Sequence, residues 1–181
     1  PGQSVLVTGA SGGVGTFAVQ IAASMGANVT GVCSTRNIDM VRSLGADDVI
    51  DYTREDYTPG GARYDLILDN VGNRSLKDTR RALEPGGTLI PNGAEAPEGW
   101  FGGLGRPVKA AIVSLFVKQQ GRGFVSSANQ QDLATLLELA AAGTITPVID
   151  RRYPLEEGIE AISHVGEGHA QGTTVITIDE R

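Results

Sequence analysis

Thr8-Gly9-Ala10-Ser11-Gly12-Gly13-Val14-Gly15 is a glycine-rich turn at which a strand pattern ends and a helix pattern begins. Residues 4–7, before it, form the short apolar run of a buried parallel strand. Residues 16–25, after it, are long enough for a helix and end at Gly26. Glycines let a pyrophosphate approach the backbone, and the free N–H groups of the new helix face the anion. The turn therefore predicts a dinucleotide site.

The alternation of strand and helix patterns predicts the fold class. Helix patterns at 16–25, 38–44 and 74–83 separate strand patterns at 4–7, 28–33, 48–52, 64–69 and 88–91. We therefore expect an α/β protein: a Rossmann doubly wound parallel sheet with strand order 3-2-1-4-5-6. Its ligand crevice is expected at the carboxyl ends of the strands, beside the first strand.

The remainder of the chain is harder to read. Residues 94–105 are a loop rich in Gly and Pro, 107–119 have the pattern of a helix, and 124–127 are expected to form the sixth, edge strand. A helix at 130–142, a strand at 147–150, a helix from Pro154 to about 165 and a strand at 173–178 follow.

Length and charge exclude several classes of function. The 181 residues allow one well-buried domain, or one domain and part of another. The net charge of −6 and a pI near 4.9 exclude nucleic acid as the expected partner. No apolar run approaches the ~20 residues of a membrane span. Because Pro1 stands three residues before a core strand, we interpret the chain as a piece of a longer protein.

The chain has one cysteine, Cys33, and two histidines. One cysteine excludes an internal disulfide and favours a reducing cytosol, so a cytoplasmic location is expected. One Cys and two His are too few for a structural zinc site, and no metal is predicted. Cys33 itself is interpreted as a small core residue.

The end of the second strand bears on the choice of cofactor. NAD enzymes of this fold place an Asp or Glu about 20 residues after the glycines, to bind the ribose 2′-OH. Here Ser34 and Arg36 follow Cys33, and no acid appears before Asp39. A Ser hydroxyl and an Arg guanidinium donate to a 2′-phosphate, so NADP(H) is favoured over NAD. The competing interpretation is that Ser34 caps the next helix and Arg36 is solvated.

Stretches along nearly the whole chain resemble the medium-chain dehydrogenase/reductase superfamily, in its quinone-oxidoreductase-like branch. They are residues 9–15, 18–22, 44–47, 49–52, 68–72, 85–89, 143–145, 153–155 and 168–172. The resemblance covers the cofactor half of such an enzyme, without the N-terminal substrate domain. It implies an NADP-binding Rossmann domain at 1–128 and a return segment at 129–181 that would pack on the absent domain. Without that domain, the last two strands are expected to pair with each other, with a neighbouring chain, or not at all.

The resemblance also implies the cofactor contacts. Ser11, Gly12, Gly13 and Val14 would lie under the pyrophosphate, and Tyr52 would flank the adenosine. Asn70, Val71 and Gly72 would line the ribose and nicotinamide side, and Asn92, Gly93, Phe124 and Val125 would hold the nicotinamide. Phe124 and Val125 could instead be packing residues of the edge strand. No catalytic residue is predicted, because in hydride transfer the cofactor carries the chemistry.

Three functions remain open at this point. The first is an NADPH-dependent reductase, zinc-free, that transfers hydride to a quinone, an enone or a related carbonyl as its small-molecule acceptor. The second is an enoyl-thioester reductase or zinc-type alcohol dehydrogenase of the same superfamily. The third is a nucleotide-binding module without turnover. A short-chain dehydrogenase is excluded, because no tyrosine is followed four residues later by lysine. A homodimer is expected through the edge strand at 124–127, since an uncovered edge invites pairing.

Overall fold

The computed structural model describes residues 1–59, 61–92, 120–121, 129–168 and 170–178. Six strands form a parallel sheet in the order β3-β2-β1-β4-β5-β6, which confirms the predicted Rossmann fold and strand order. The strands are β1 (Ser4–Thr8), β2 (Asn28–Cys33), β3 (Asp48–Asp51), β4 (Tyr64–Asp69), β5 (Leu83–Pro91) and β6 (Gln120–Gly121).

Both faces of this sheet are packed, as the alternating side chains of β1 show. Val5 and Val7 point to one face and pack with Val19 of α1 (Gly13–Ser24), and Leu6 points to the other and packs with Ile67. The helices α2 (Ile38–Ser43) and α3 (Leu76–Arg81) and a short 3₁₀ turn at Thr35–Asn37 complete this part of the fold. Two separate hydrophobic clusters, one on each face, fit a buried parallel strand such as β1, which is apolar on both of its faces.

Several elements differ from the expected bounds by a few residues, and two of these differences have a clear physical reason. Helix α1 begins at Gly13 and not at residue 16, so that the last glycines of the turn belong to its first turn. Strand β5 begins at Leu83, which the sequence pattern places in the preceding helix. Leu83 is fully buried and pairs with Tyr64, and the register then shifts before Leu66 pairs with Thr88. Because Leu83 is buried in the sheet, β5 begins at this residue. The polar turn residues that follow it form an irregularity within the strand.

The return segment folds as a second strand–helix–strand unit. After α4 (Gln130–Ala141), β7 (Ile149–Pro154) leads through a 3₁₀ turn, Leu155–Glu157, into α5 (Gly158–Gly166) and β8 (Thr173–Thr177). Strands β7 and β8 pair with each other in parallel, which is one of the three expected arrangements.

Hydrogen bonds at several places join the return segment to the part of the chain that forms the six-stranded sheet. The Gly172 N–H donates to the Ser11 carbonyl at 2.7 Å, beside an isolated parallel bridge between Gly12 and Gly172. The buried Gln20 amide accepts from the Thr146 N–H at 2.7 Å and donates to the Thr146 carbonyl at 3.1 Å. The return segment is thus anchored at the glycine turn and on α1.

Other expectations lie partly outside the described residues. The described sixth strand is Gln120–Gly121, whereas the segment predicted for it, 124–127, is outside the described part, as is the predicted helix at 107–119. Within the described ranges, none of the helices combines the length and the apolar character needed to cross a membrane.

Candidate functional site

A cleft of about 470 Å³ opens at the carboxyl ends of β1, β2 and β4. This is where a doubly wound sheet binds its ligand, and the volume lies within the range of small-molecule sites. Its walls come from the glycine turn, from the loops that follow β2, β3 and β4, from Asn92 after β5, and from Gly168 and Ala170 of the return segment.

The glycine turn forms the floor of the cleft and is closely packed. Gly9 has φ +62°, and the Gly12 N–H donates to its carbonyl oxygen at 3.0 Å. A Cβ on Gly15 would overlap that same oxygen, so only glycine fits there. Gly12, the residue before α1, offers no side chain to cap the helix, and the first turn of α1 has no acidic residue. Its first N–H groups therefore present an uncompensated positive end to the cleft, as pyrophosphate binding requires.

The ends of β1 and β4 are tied together by side-chain hydrogen bonds. The Thr8 hydroxyl donates to Asp69 at 2.9 Å and accepts from the Asn70 N–H at 2.9 Å. The Asn70 amide donates to the Thr8 carbonyl at 2.9 Å and accepts from the Asn92 amide at 2.8 Å. These bonds fix the orientation of Asn70 and Asn92 in the wall of the cleft.

The acid nearest the end of β2, Asp51, is already engaged. Its carboxylate accepts hydrogen bonds from the hydroxyls of Thr35 and Thr53 and from the Thr53 N–H. These bonds, led by the one from Thr35, lower the pKa of Asp51, so that its negative charge is held within the loop.

The neighbouring Cys33 side chain is 1% exposed. Burial, and then the charge of Asp51, raise its pKa to about 11. The thiol therefore stays protonated and unreactive, as the interpretation of Cys33 as a core residue expects.

Ser34 and Arg36 both line the cleft. Ser34 precedes the 3₁₀ turn at Thr35–Asn37, but its side chain makes no capping hydrogen bond. Its hydroxyl oxygen instead accepts from the Asn37 amide at 3.3 Å. The exposed Arg36 side chain faces the same space, while the acidic Glu55 lines the cleft from the loop after β3.

The structure brings most of the predicted site residues to this one cleft. Those that line it are Ser11, Gly12, Gly13, Val14, Ser34, Arg36, Tyr52, Asn70, Val71 and Asn92. Gly72 is buried and donates its N–H to Asp69 at 3.0 Å. Gly93, Phe124 and Val125 lie outside the described residues. That any of these residues binds the cofactor remains a prediction.

Several residues of the cleft are not predicted by the sequence. Tyr57, Asn73 and Arg74 reach it from loops after β3 and β4, and Asn37 reaches it from the 3₁₀ turn. The one signal for Asn37 is its place in the polar cluster after β2. Gln171, next to the cleft-lining Ala170, hydrogen-bonds to Asn37 from the return segment, and nothing in the sequence points to that contact.

The donor set of the cleft fits a phosphorylated dinucleotide. It combines the N–H groups at the start of α1, the hydroxyls of Ser11 and Ser34, and the Arg36 guanidinium. A metal ion is not matched in the same way: among the described residues, no three His, Cys, Asp or Glu side chains are grouped so that they could hold one.

Comparisons with known proteins agree with this geometry. A family model described as zinc-binding dehydrogenase matches residues 44–176. The chain is 36% identical to a mitochondrial NAD(P)H oxidoreductase of Mus musculus, over 98% of this chain and 48% of that protein. It is 32% identical to a trans-enoyl reductase of Aspergillus terreus, over 99% of this chain and 52% of that one.

A solved structure of the quinone oxidoreductase from Coxiella burnetii superposes with a TM-score of 0.83. It shares 26% identity, and the superposition covers 98% of this chain and 53% of that one. The chain thus spans about half the length of the relatives that it matches.

Proposed function

The chain belongs to the zinc-binding dehydrogenase family, and from this premise we propose that it is the NADPH-binding part of an oxidoreductase. The whole protein would transfer hydride to a quinone, an enone or a related carbonyl. When bound, the cofactor supplies the hydride, and the residues of this chain bind and orient it. The names of the relatives, an NAD(P)H oxidoreductase and a quinone oxidoreductase, support this class of reaction.

The observation that carries the choice of NADP is the set of groups at the end of β2. Ser34 and Arg36 face the cleft there, and the nearby acid, Asp51, is engaged by Thr35 and Thr53. A ribose 2′-phosphate would find a hydroxyl donor and a guanidinium and no carboxylate from β2 itself. The pyrophosphate would lie on the glycine turn, against the first N–H groups of α1 and the Ser11 side chain.

Calorimetry on the chain tests the choice of cofactor. We expect NADPH to bind at least about tenfold more tightly than NADH, because hydrogen bonds to charged groups are the stronger ones. Arg36→Ala should remove most of that difference. Arg42→Ala, which removes the same charge from an exposed residue of α2 outside the cleft, is the matched control and should preserve it. Equal affinities for NADPH and NADH in the parent chain would refute the assignment to NADP.

The acceptor is tested on the longer protein. Oxidation of NADPH with a quinone supports the proposal, whereas oxidation with an enoyl thioester supports an enoyl-thioester reductase, the second candidate. The similarity to a trans-enoyl reductase is the observation that favours this second candidate. Binding of NADPH without turnover on any acceptor would support a nucleotide-binding module. The isolated chain is expected to bind the cofactor and to catalyse little.

The domain organisation is part of the same proposal. The return segment exposes a set of large apolar side chains that a further domain would cover: Leu133, Leu136, Leu137, Ile149, Leu155, Ile159, Ile162, Val165, Ile176 and Ile178. Because the chain spans about half of its relatives, we assign this surface to the N-terminal domain of the longer protein. The division into 1–128 and 129–181, which the family resemblance implies, is part of this proposal.

Two expectations about the whole protein stay predictions. A homodimer through the sheet edge at 124–127 is tested by sedimentation of the longer protein. A cytosolic location is supported by the free, buried Cys33, while the mitochondrial location in the name of one relative applies to that protein.

A further inference from the structure

Four polar side chains form a hydrogen-bonded relay at the phosphate end of the cleft. The Gln171 amide nitrogen donates to Oδ1 of Asn37. The Asn37 amide nitrogen donates to the Ser11 hydroxyl oxygen at 2.9 Å and to the Ser34 hydroxyl oxygen at 3.3 Å. Asn37 is only 4% exposed, whereas both serines line the cleft.

The chemistry of the amides sets the direction of this relay. An amide accepts hydrogen bonds at its oxygen and donates them at its nitrogen. Because Gln171 donates to Oδ1 of Asn37, the Asn37 nitrogen is turned toward the two serines. Each serine then accepts from Asn37, and its own hydroxyl proton is left for another acceptor. Within the described part of the chain, neither of these hydroxyls donates a hydrogen bond to a protein group.

We propose that Gln171 and Asn37 are positioning residues that turn the hydroxyls of Ser11 and Ser34 into donors for the phosphate groups of a bound dinucleotide. The inference rests on the proposed function, since it requires a phosphorylated cofactor in this cleft. Ser11, on the glycine turn, would serve the pyrophosphate that NADPH and NADH share. Ser34, after β2, would serve the 2′-phosphate that only NADPH carries.

The relay also gives the return segment a part in cofactor selectivity. Gln171 is separated by 134 residues from Asn37, and it reaches the turn because the adjacent Gly172 is bonded to the Ser11 carbonyl. A residue that does not touch the cofactor would thus set the affinity for NADPH through two serines that do.

The test is calorimetry of the chain with NADPH and with NADH, for Gln171→Met and its control. Methionine keeps the length and the zero charge of glutamine but cannot donate to Asn37. We expect NADPH affinity to fall about fivefold, as for loss of one oriented hydrogen bond, and NADH affinity to fall less. Gln131→Met, the same change at an exposed residue of α4, should leave both affinities unchanged.

A double-mutant cycle separates positioning from a merely structural role. In the background Ser11→Ala with Ser34→Ala, the Gln171→Met change should cost less than about twofold in NADPH affinity, because the groups that it orients are gone. A loss as large as in the parent would overturn the inference, and so would an unchanged affinity of Gln171→Met in the parent background. Melting temperatures of the free variants show whether each is folded.

Asn37→Asp gives an independent check on the direction of the relay. A carboxylate of the same shape only accepts, so both serine hydroxyls would turn inward and donate to it. The NADPH affinity should fall by more than tenfold. In the Asn37→Asp background, the combined Ser11→Ala and Ser34→Ala change should cost less than about twofold in NADPH affinity, because the serine hydroxyls no longer face the cofactor. A loss as large as in the parent background would contradict the relay. Failure of the parent chain to bind either nucleotide would instead contradict the proposed function, so the two failures are distinguishable.

Discussion

Residues 1–92 and the return segment are built from the same unit, a strand, a helix and a parallel strand, but they bury it differently. In residues 1–92 both faces of the sheet are covered, and side chains such as Val19 and Ile67 are fully buried. In the return segment, Ile159 is 81% exposed and Ile162 is 72% exposed, and only Ala161 of α5 is buried.

This difference shows which part of the molecule has a complete hydrophobic core without a further domain. A two-stranded sheet with two helices that bury almost none of their side chains does not bury enough apolar surface to be independently stable. The return segment is therefore stabilised by its anchors on the glycine turn and on α1, and its apolar side chains remain available to the domain assigned to them above. The candidate cofactor site, in contrast, lies mainly on the part whose core is complete.

The largest effect is expected from a comparison between a glycine of α1, Gly15, and a glycine of α5, Gly166. In Gly15→Ala the new Cβ overlaps the Gly9 carbonyl oxygen, which is backbone and cannot move aside. We expect a loss of more than about 4 kcal/mol in the free energy of unfolding, together with loss of nucleotide binding. In Gly166→Ala of α5 the Cβ enters open space, and a gain of about 0.5–1 kcal/mol is expected. Urea unfolding measures both, and a stable Gly15→Ala would show that the turn is not closely packed.

The next effect compares one chemical change in the two regions. Ile67→Ala empties a fully buried position and should cost about 3 kcal/mol. Ile162→Ala in the return segment should cost less than about 0.5 kcal/mol in this chain. In the longer protein the same Ile162→Ala should become markedly destabilising, because the added domain would cover that side chain. Equal, small costs of Ile162→Ala in both proteins would remove the support for the assigned interface.

The smallest effect concerns thiol reactivity and its pH dependence. The raised pKa of Cys33, about 11, means that the folded state disfavours the thiolate. The contribution of Cys33 to the free energy of unfolding is complete below the pKa of the unfolded thiol, near 9. It declines as the pH rises toward 11, because the thiol of the unfolded chain ionises first. At pH 8 we expect iodoacetamide to alkylate Cys33 at least about 100-fold more slowly than in the urea-unfolded chain. A cysteine placed at the exposed residue 159, by Ile159→Cys in Cys33→Ala, should react at nearly the unfolded rate.

Much of the fold could be predicted, because the signals are local. Each of the first five strands contains a short apolar stretch, and the glycine turn follows β1 directly, so the strand order and the position of the crevice follow from known rules. The start of β5 could not be predicted, because the burial of Leu83 depends on its partner Tyr64 across the sheet. The pairing of β7 with β8 is only one of three arrangements that the sequence allows, since the sequence does not show what else is available to these strands.

The residues of the candidate site also divide into those that local sequence signals predict and those that depend on distant contacts. Ser34 and Arg36 directly follow β2, and their position relative to the glycine turn is a sufficient signal. Asn37 and Gln171 are neutral amides far apart in the chain. Gln171 lies in a stretch that resembles the family, but its contact with Asn37 depends on the docking of the return segment. The direction of the relay depends on how these side chains are oriented, and no pattern in the sequence predicts that orientation.

The bond between the Gly172 N–H and the Ser11 carbonyl has a consequence for the order of events during biosynthesis. A ribosome adds roughly 5–20 residues per second, so the 134 residues between Asn37 and Gln171 take on the order of ten seconds to make. Throughout that interval, Ser11 of the glycine turn and Ser34 after β2 lack the Gln171 contact that we propose orients them through Asn37. With the proposed relay, the phosphate site is therefore complete only late in translation, and before that point a nucleotide would bind the turn more weakly.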